Sequence, residues 1–455
     1  MGSATDGRGR RSSSTGRSVR WVRSPVVCCC VILPPRSPAS SSAGASRSAC
    51  AERGAVARAA LLCFDGAMLD TLAVANYRSL RDFVAPLGRL TLVTGANGSG
   101  KSSLYRSLRL LADVAHGRVI PSIAREGGLD SLLWAGPEQF GRQVKRGEHA
   151  VQGTVRQAEV ALRLGFVADG LGYAIDLGLP TPVPRTLFQR DPEIKREVIW
   201  HGESWHDRRA LVDRRGPHVR VRDETGAWRT QATDLATFDS MLARAAGDHT
   251  VPEALALRET LRAWRFYDHF RCDAESPARA AHMGVRTPVL SDDGHDLASA
   301  WRTIVEIGDD DGLAMALEDA FPGASVEIEV SGGRFELQFH QPGLLRPLAQ
   351  AELSDGTLRY LLLITALLTP RPPPLMVLNE PETSLHPDLL PPLGRLMRRY
   401  AERDPLWVVS HAPVLREALL EVPGVVHLEL DKDLGETFVQ GLGPFDAPAW
   451  KWPKR

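Results

Sequence analysis

The chain has 455 residues and no formal net charge, with 55 lysines and arginines against 55 acids. Residues 1–67 hold ten arginines and three acids, so the remaining 388 residues carry a net charge of about −7. A mildly acidic body disfavours broad, sequence-independent DNA binding, which needs a basic surface to displace counterions. No apolar run approaches the roughly eighteen residues of a membrane-spanning helix, so no membrane partner is expected.

The first 67 residues are rich in Ser, Arg, Ala, Pro and Gly and show no hydrophobic period. Such a composition cannot bury enough apolar surface to fold. We predict that residues 1–67 are a disordered tail or a mis-assigned start, with Met68 as the natural first residue. They contain five of the six cysteines, which leaves Cys272 alone in the body and excludes a disulfide framework there. We therefore expect a reducing, cytoplasmic setting.

Hydrophobic patterning divides the rest of the chain into three predicted parts. Residues 68–230 form a lobe with strands at 72–76 and 90–94, then a mainly antiparallel β region with strands at 159–166, 172–177, 195–200, 210–213 and 219–222. Residues 231–295 form a helical insertion, because a helical pattern runs from 235 to 270. Residues 296–455 form a second α/β lobe, with helices at 297–307, 313–321 and 358–368 and strands at 325–330, 334–340, 375–378 and 406–410. No heptads are sustained, so no long coiled coil is predicted.

The most informative motif is a Gly-rich loop between the strand at 90–94 and a helical pattern. It reads Gly-Ala-Asn-Gly-Ser-Gly-Lys-Ser and gives the candidate ATP-binding residues Gly95, Asn97, Gly98, Ser99, Gly100, Lys101, Ser102 and Ser103. Backbone N–H groups at a helix start, together with the helix dipole, stabilise phosphate oxygens. We expect Lys101 to reach the β- and γ-phosphates and Ser102 to be a ligand of Mg²⁺.

A second motif, Leu-Ser-Asp-Gly-Thr at 353–357, stands before a strongly apolar helical pattern. Ser354 and Gly356 are placed at the helix N-terminus, where free N–H groups and the Ser hydroxyl stabilise an anion. By itself the pattern is typical of an ordinary N-cap. Its position between the Gly-rich loop and the acidic segment near 380 favours a functional interpretation.

Two short apolar strands end in polar residues. The strand at 375–378 precedes Asn379 and Glu380, and the strand at 406–410 precedes His411. Because α/β sheets hold catalytic groups at the carboxyl ends of their strands, these residues are catalytic candidates. Glu380 is the candidate base that polarises the attacking water, His411 the candidate γ-phosphate sensor, and Asn379 a candidate metal ligand. In the alternative that stays open, Glu380 holds the metal and Glu382 is the base.

In this order the motifs resemble the ABC-type ATPase heads of the RecF/SMC-like and overcoming-lysogenization-defect-like AAA-family ATPases. The matching segments are 76–80, 95–103, 353–357, 378–387 and 410–411, within a resemblance that covers roughly residues 68–440. The resemblance implies an α/β P-loop NTPase fold of ABC-ATPase-head type: a mixed central sheet, an antiparallel β subdomain and a short helical insertion. It implies ATP and Mg²⁺ as cofactors and a homodimer that forms upon ATP binding. By the same likeness Arg78 contacts the nucleotide, and Ser354 reaches the nucleotide on Lys101 of the other subunit.

Two positions depart from the family pattern. Asn379 stands where the family has Asp, and Asp355 stands where its signature has Gly. A neutral amide binds a hard cation less well than a carboxylate does, so we predict slow hydrolysis. Asn379→Asp is then expected to raise turnover, unless Glu380 holds the metal and the added charge crowds it. Gln139 is the candidate for the family's Q-loop glutamine.

The segment 255–271 interleaves arginines with aromatic residues. Such a mixture can stack on nucleic acid, but a packed helix with a solvated face is the favoured interpretation. Three roles stay open: an ATPase in DNA repair or replication, the sensing ATPase of a defence system with a separate nuclease or other effector, and a nearly inert ATP-dependent clamp. A transporter ATPase is disfavoured by the long separation between the Gly-rich loop and the signature.

Overall fold

Three β-sheets organise the part of the chain that this computed structural model describes: residues 68–138, 159–182, 184, 186–244, 252–268, 270–443 and 445–455. The strands are β1 Leu69–Tyr77, β2 Leu80–Pro86, β3 Leu90–Gly95, β4 Leu162–Ala168, β5 Leu171–Gly178, β6 Glu193–His201, β7 Ala210–Arg215, β8 His218–Arg222, β9 Trp228–Ala232, β10 Arg265–Tyr267, β11 His282–Met283, β12 Ser325–Ser331, β13 Arg334–His340, β14 Leu348–Ala349, β15 Met376–Asn379, β16 Leu406–Val409, β17 Val426–Asp433 and β18 Glu436–Val439.

The α-helices of the described residues surround and connect these sheets. They are α1 Lys101–Ala115, α2 Val119–Arg125, α3 Leu129–Leu132, α4 Met241–Arg244, α5 Pro252–Ala263, α6 Leu297–Ile307, α7 Asp310–Ala320, α8 Asp355–Leu367, α9 Leu390–Ala401 and α10 Pro413–Leu420. The longest of them, α1, has 15 residues, so the structure shows no long coiled-coil arm in the ranges it describes. None of these helices is long and apolar enough to cross a membrane.

The six-stranded sheet has the order β10-β15-β16-β3-β17-β18. Its first five strands are parallel, and β18 returns antiparallel to β17. The sheet is buried on both faces, as parallel sheets are: Val377 and Val409 belong to one hydrophobic core, and Met376 and Val408 belong to the other. Since parallel strands end at the same edge, this topology places the residues after β3, β15 and β16 side by side.

The eight-stranded sheet is antiparallel throughout, with the order β2-β1-β4-β5-β6-β7-β8-β9. It packs with α1 in the first hydrophobic core. A smaller antiparallel sheet, in which β13 pairs with β11, β12 and β14, packs with α6, α8 and α9 in the second core. The mixed α/β architecture and the antiparallel β subdomain predicted from the sequence are confirmed.

The helical pattern predicted for 235–270 is only partly correct. Helices α4 and α5 lie in this region, but Arg265–Tyr267 is the edge strand β10, parallel to β15. The physical reason is that a short run of aromatic residues suits a buried strand as well as a helix, and pairing with β15 decides between them. Trp264, Phe266 and Phe270 are all buried, so the aromatic residues of 255–271 pack as expected, although 265–267 is a strand and not part of a packed helix.

Candidate nucleotide-binding site

The Gly-rich loop joins β3 to α1 in a conformation that glycine permits. Gly95, Gly98 and Gly100 have φ angles of 139°, 82° and 113°. A Cβ on Gly95 would lie 2.3 Å from the carbonyl oxygen of Leu430, and one on Gly100 would lie 2.2 Å from Thr437 Oγ1. The β17–β18 hairpin therefore packs so closely against the loop that side chains are excluded at both positions.

The interior of this loop is polar. The Lys101 ammonium donates to the carbonyl oxygens of Gly95 and Ala96, at 2.8 Å each. Burial lowers the pKa of Lys101, and the nearby Glu380 carboxylate partly opposes that shift. The hydroxyl of Ser99 is buried and has no hydrogen-bond partner within the described residues. A buried ammonium and an orphaned hydroxyl inside a left-handed Gly loop fit a bound phosphate group.

Helix α1 presents its N-terminal end to the same space. Its first residue is Lys101, and it has neither a side-chain cap nor an acidic residue in its first turn. Ser102 is exposed on this turn, whereas Ser103 is buried. The unopposed positive end of the helix dipole favours an anion at this position. Asn97 is exposed on the loop beside it.

Glu380 and His411 meet at the carboxyl ends of β15 and β16. The Glu380 N–H donates to the carbonyl oxygen of Val409 at 2.8 Å, which ties the residue after β15 to the end of β16. Its backbone is left-handed, with φ 49°, a conformation that costs energy for a non-glycine residue. The Glu380 Oε1 atom lies 3.2 Å from His411 Nε2, and about 40% of each side chain is exposed. The structure thus brings both sequence-predicted residues together.

Glu382 has different surroundings although it is only two residues away. Its Oε1 atom accepts hydrogen bonds from Ser410 Oγ at 3.0 Å, from the His411 N–H at 2.6 Å and from the Ala412 N–H at 3.1 Å. These bonds fix the turn between β16 and α10. The sequence indicates that Glu382 is acidic and near the site, but not that three donors already surround it.

Asn379, the last residue of β15, contacts an acid that the motifs do not identify. Its Nδ2 donates to Asp268 Oδ1 at 2.6 Å. Asp268 directly follows β10, the neighbouring parallel strand. The only sequence signal for this residue is its position after Arg-Phe-Tyr, and that signal is hidden while 265–267 is interpreted as helix.

Ser354 is the N-cap of α8, as predicted, and its Oγ accepts a hydrogen bond from the Thr357 N–H at 3.1 Å. A Cβ on Gly356 would lie 3.0 Å from the carbonyl oxygen of Ser384, so the signature turn packs against the loop after Glu380. Together they line an open cavity of about 630 Å³ whose walls include Ser354, Gly356, Thr357, Ser384 and His386. None of its lining residues belongs to the Gly-rich loop.

Two arginines hold the signature segment in place. Arg279 Nη2 donates to Asp355 Oδ1 at 2.7 Å, so the acid at the atypical signature position has its own cation. The buried Arg359, on α8, donates to the carbonyl oxygens of Thr383 and Phe270 at 2.7 Å each. Sequence reasoning missed both arginines, which are 76 and 24 residues from their partners Asp355 and Thr383.

Arg78 lies in the turn between β1 and β2, close to the Gly-rich loop. Thr437 Oγ1 donates to the carbonyl oxygen of Ser99 and lies 2.8 Å from Ser79 Oγ, so this turn and the loop share a neighbour. The Arg78 guanidinium itself donates to Glu126 Oε2 at 2.6 Å. Gln139, the Q-loop candidate, lies outside the described residues.

The donor set near α1 is suited to a metal that is bound mainly through nucleotide phosphates. Among the described residues, no group of three or more His, Cys, Asp or Glu side chains could hold a metal ion. The Ser102 hydroxyl and the Asn379 amide provide oxygen donors, which Mg²⁺ prefers. Mg²⁺ commonly takes only one or two protein ligands alongside phosphates and water.

Solved structures that are similar include an SMC head bound to the C-winged helix domain of ScpA (12% identity, TM-score 0.44, 82% of this chain and 97% of that one). Others are the SMC head domain from Thermotoga maritima (13%, 0.37, 82% and 98%) and the Pyrococcus furiosus Smc head with an extended coiled coil, bound to a ScpA domain (12%, 0.43, 82% and 95%).

A search of curated proteins finds no match. A family model described as "AAA domain, putative AbiEii toxin, Type IV TA system" matches residues 90–415, well over half of the chain. The matched range runs from the first residue of β3 into α10 and includes the loop, the signature turn and both strand ends. The chain has a P-loop NTPase-like fold and belongs to this AAA-domain family.

Proposed function

We propose that the protein binds ATP with Mg²⁺, hydrolyses it slowly, and acts as a homodimer that forms when ATP is bound. The proposal is carried by three groups at one sheet edge: the Lys101 ammonium in the loop, the Glu380 carboxylate that interacts with it, and His411, 3.2 Å from that carboxylate. Transfer of a phosphoryl group to water needs a cation, a water-orienting base and a sensor of the γ-phosphate, because catalysis consists of positioning and electrostatic stabilisation.

The local geometry supports the binding roles in this proposal. The N-terminal N–H groups of α1 and the Lys101 ammonium bind the β- and γ-phosphates, and Ser102 and Asn379 hold the metal. Mg²⁺, when bound, neutralises phosphate charge. Gly95, Gly98 and Gly100 allow the backbone to curve around the phosphates, with Asn97, Ser99 and Ser103 in the same loop. Arg78 reaches the nucleotide only if its guanidinium leaves Glu126.

Glu380 is the base in this proposal and Glu382 a positioning residue. Among the described residues, the one side-chain hydrogen-bond partner of Glu380 is His411, so its remaining lone pairs are free to accept a proton from water. The Oε1 atom of Glu382 is already occupied by three donors. Through the N–H groups of His411 and Ala412, Glu382 holds the His411 backbone in place.

The signature surface supports the dimer. Ser354 is exposed at the N-terminus of α8, and its cavity contains no residue of the Gly-rich loop. We propose that Ser354 and Gly356 receive the γ-phosphate of the nucleotide held by Lys101 of a second copy. Each subunit then completes the other's site, and dimerisation depends on the triphosphate.

Glu380→Gln tests this function. We expect turnover to fall by about 10²–10⁴-fold, because the base is lost, while ATP still binds. Light scattering should give twice the monomer mass with ATP and the monomer mass with ADP. Glu417→Gln, the same change on the exposed face of α10, serves as the matched control and should behave as the unmodified chain.

Lys101→Ala should abolish nucleotide binding in calorimetry without unfolding the protein, since Lys101 contributes charge to the loop. A Glu380→Gln chain that hydrolyses ATP normally would exclude Glu380 as the base. A monomer with both nucleotides would instead indicate a P-loop enzyme that does not use a shared site.

The family description favours one biological role as a second, finer candidate. It names a toxin and a Type IV TA system, which matches the defence-system alternative better than RecF/SMC-like DNA maintenance. If the chain is itself the toxin, its expression alone should slow growth of a bacterial host, Lys101→Ala should relieve the effect, and a neighbouring gene should supply the antidote. If it is the sensing ATPase, growth should slow only when the neighbouring effector gene is expressed with it. ATP turnover that rises on addition of duplex DNA would favour DNA maintenance instead.

A further inference from the structure

We infer that Asp268 supplies the negative charge of the magnesium site and orients Asn379. An acid and an amide at the ends of neighbouring strands then replace the single carboxylate that the family pattern has at the position of Asn379. The inference rests on the proposed ATP and Mg²⁺ binding and deepens it. Asp268 belongs to none of the motifs from which the site is predicted. Asp268 is a positioning residue for Asn379.

The register of the sheet places the two residues together. Strands β10 and β15 are parallel, and Tyr267 pairs with Leu378. The next residue of each strand, Asp268 and Asn379, therefore leaves the sheet at the same edge as the Gly-rich loop. Their side chains meet with Asn379 Nδ2 at 2.6 Å from Asp268 Oδ1.

This contact determines which way the Asn379 amide faces. An ionised carboxylate only accepts hydrogen bonds, so the NH₂ group of Asn379 must face Asp268. Because the amide is planar, its carbonyl oxygen then points away from Asp268. An oriented amide oxygen is an acceptable ligand for a hard cation or for one of its bound waters, and it costs no reorganisation when the ion arrives.

The negative charge that Asn379 lacks lies one hydrogen bond away. The closest described cation to Asp268 is Arg109, whose Nη1 is 3.9 Å from Asp268 Oδ2, with 46% and 42% of the two side chains exposed. Arg109 also donates to Tyr105 Oη at 3.3 Å and interacts with Asp292. Arg265 also lies near Asp292, so the two acids have two cations nearby. Because the Arg109–Asp268 contact is long and almost half exposed, solvent screens it, and the Arg109 charge only partly offsets that of Asp268.

The same contact explains why an acid at position 379 does not suit this chain. Asn379→Asp would set two carboxylates face to face, in place of an amide that donates at 2.6 Å. Like charges at this distance repel strongly, so the simple expectation that Asn379→Asp improves the enzyme is reversed. Exchanging the two residues, in Asp268→Asn with Asn379→Asp, keeps one acid, one amide and their hydrogen bond.

The test is a double-mutant cycle on metal-dependent nucleotide binding. Calorimetry gives the Kd of a non-hydrolysable ATP analogue, with Mg²⁺ and with EDTA, for the unmodified chain, the two single variants and the exchanged pair. The readout is the factor by which Mg²⁺ tightens binding. We expect this factor to be about tenfold smaller in each single variant than in the unmodified chain. In the exchanged pair it should lie within about threefold of the value for the unmodified chain.

Asp273→Asn is the matched control, because Asp273 is a surface acid five residues along the same segment, paired with Arg271. Its factor should be unchanged. The inference is overturned if Asp268→Asn behaves like this control, or if the exchanged pair binds Mg²⁺ no better than the single variants. Weaker binding of Asp268→Asn in EDTA as well would also overturn it, since the effect would not act through the metal. If the unmodified chain binds no nucleotide in either buffer, the proposed function itself fails.

Discussion

The two large sheets differ in the surroundings of their acidic side chains. In the antiparallel sheet, Glu197 and Arg214 form an ion pair at 2.6 Å in which neither side chain is exposed. Glu197 also accepts hydrogen bonds from Tyr173 Oη, Ser240 Oγ and the Met241 N–H. In the six-stranded sheet, Glu380 follows the carboxyl end of β15, where it is partly exposed and has a left-handed backbone conformation.

The difference separates structural acids from acids available for chemistry. A carboxylate surrounded by donors stabilises the fold and has no lone pair left for a substrate. A carboxylate with one neighbour in a strained segment keeps its lone pairs, and its strain is typical of functional sites. Between these two extremes lies Glu382, with one saturated oxygen and one buried oxygen, Oε2, that has no partner in the described part of the chain.

The largest effect should come from breaking the buried pair. Arg214→Met leaves the buried Glu197 without its cation, which should lower the free energy of unfolding by about 3–5 kcal/mol. Arg395→Met, in an exposed pair with Asp319, is the matched control and should cost at most about 1 kcal/mol. Urea unfolding measures both, and equal losses would contradict the structural assignment of Glu197.

A smaller loss of stability should follow from Glu382→Gln, because Glu382 lies between the two extremes. The substitution keeps an acceptor for the Ser410, His411 and Ala412 donors but removes its charge, so we expect a loss of about 1–2 kcal/mol in unfolding free energy. Steady-state turnover should fall less than about tenfold, far less than for Glu380→Gln. If both glutamines abolish turnover equally, Glu382 is the base and Glu380 holds the metal.

The smallest expected effect is a change of stability with pH that arises from His427. Its Nε2 lies 2.8 Å from Thr94 Oγ1, at the end of β3. Burial lowers the pKa of His427 below its usual 6.5. The unfolded chain therefore takes up the proton first, and stability present above pH 6.5 is lost as the pH falls from there through the folded pKa. Because the group is partly exposed, solvent screens the effect, and this loss should be the smallest of the three.

The matched measurement for His427 compares urea unfolding at pH 7.5 and 5.5. His427→Gln cannot titrate, so it should lose less stability than the unmodified chain over this interval. An identical loss would show that His427 does not contribute to the pH dependence.

The sequence is sufficient to predict the parts of the site that depend on local order along the chain. The loop around Lys101 and the strand ends at Glu380 and His411 are short motifs whose neighbours in sequence set their geometry, and the structure places them together. Their catalytic roles stay predictions until turnover is measured. The signature N-cap at Ser354 is local in the same sense.

What could not be predicted depends on pairing between distant segments. Asp268 reaches Asn379 only because β10 joins the sheet beside β15, and Arg279 reaches Asp355 across 76 residues. Hydrophobic periodicity cannot assign a strand of only three residues such as 265–267. No local sequence signal shows which arginine pairs with Asp355. The misassigned strand and the missed acid therefore have a single cause.

Arg359 gives the site a mechanical property. From inside α8 its rigid guanidinium fork binds the loop that carries Glu380 and the segment that follows Asp268. Such a fork cannot follow two carbonyl oxygens that move apart, so the three segments must shift together. In a dimer of the proposed kind, a displacement of the loop around one subunit's triphosphate would shift α8 and with it Ser354. The nucleotide of the other subunit would then be affected by a change in the position of Ser354, not by a change in charge.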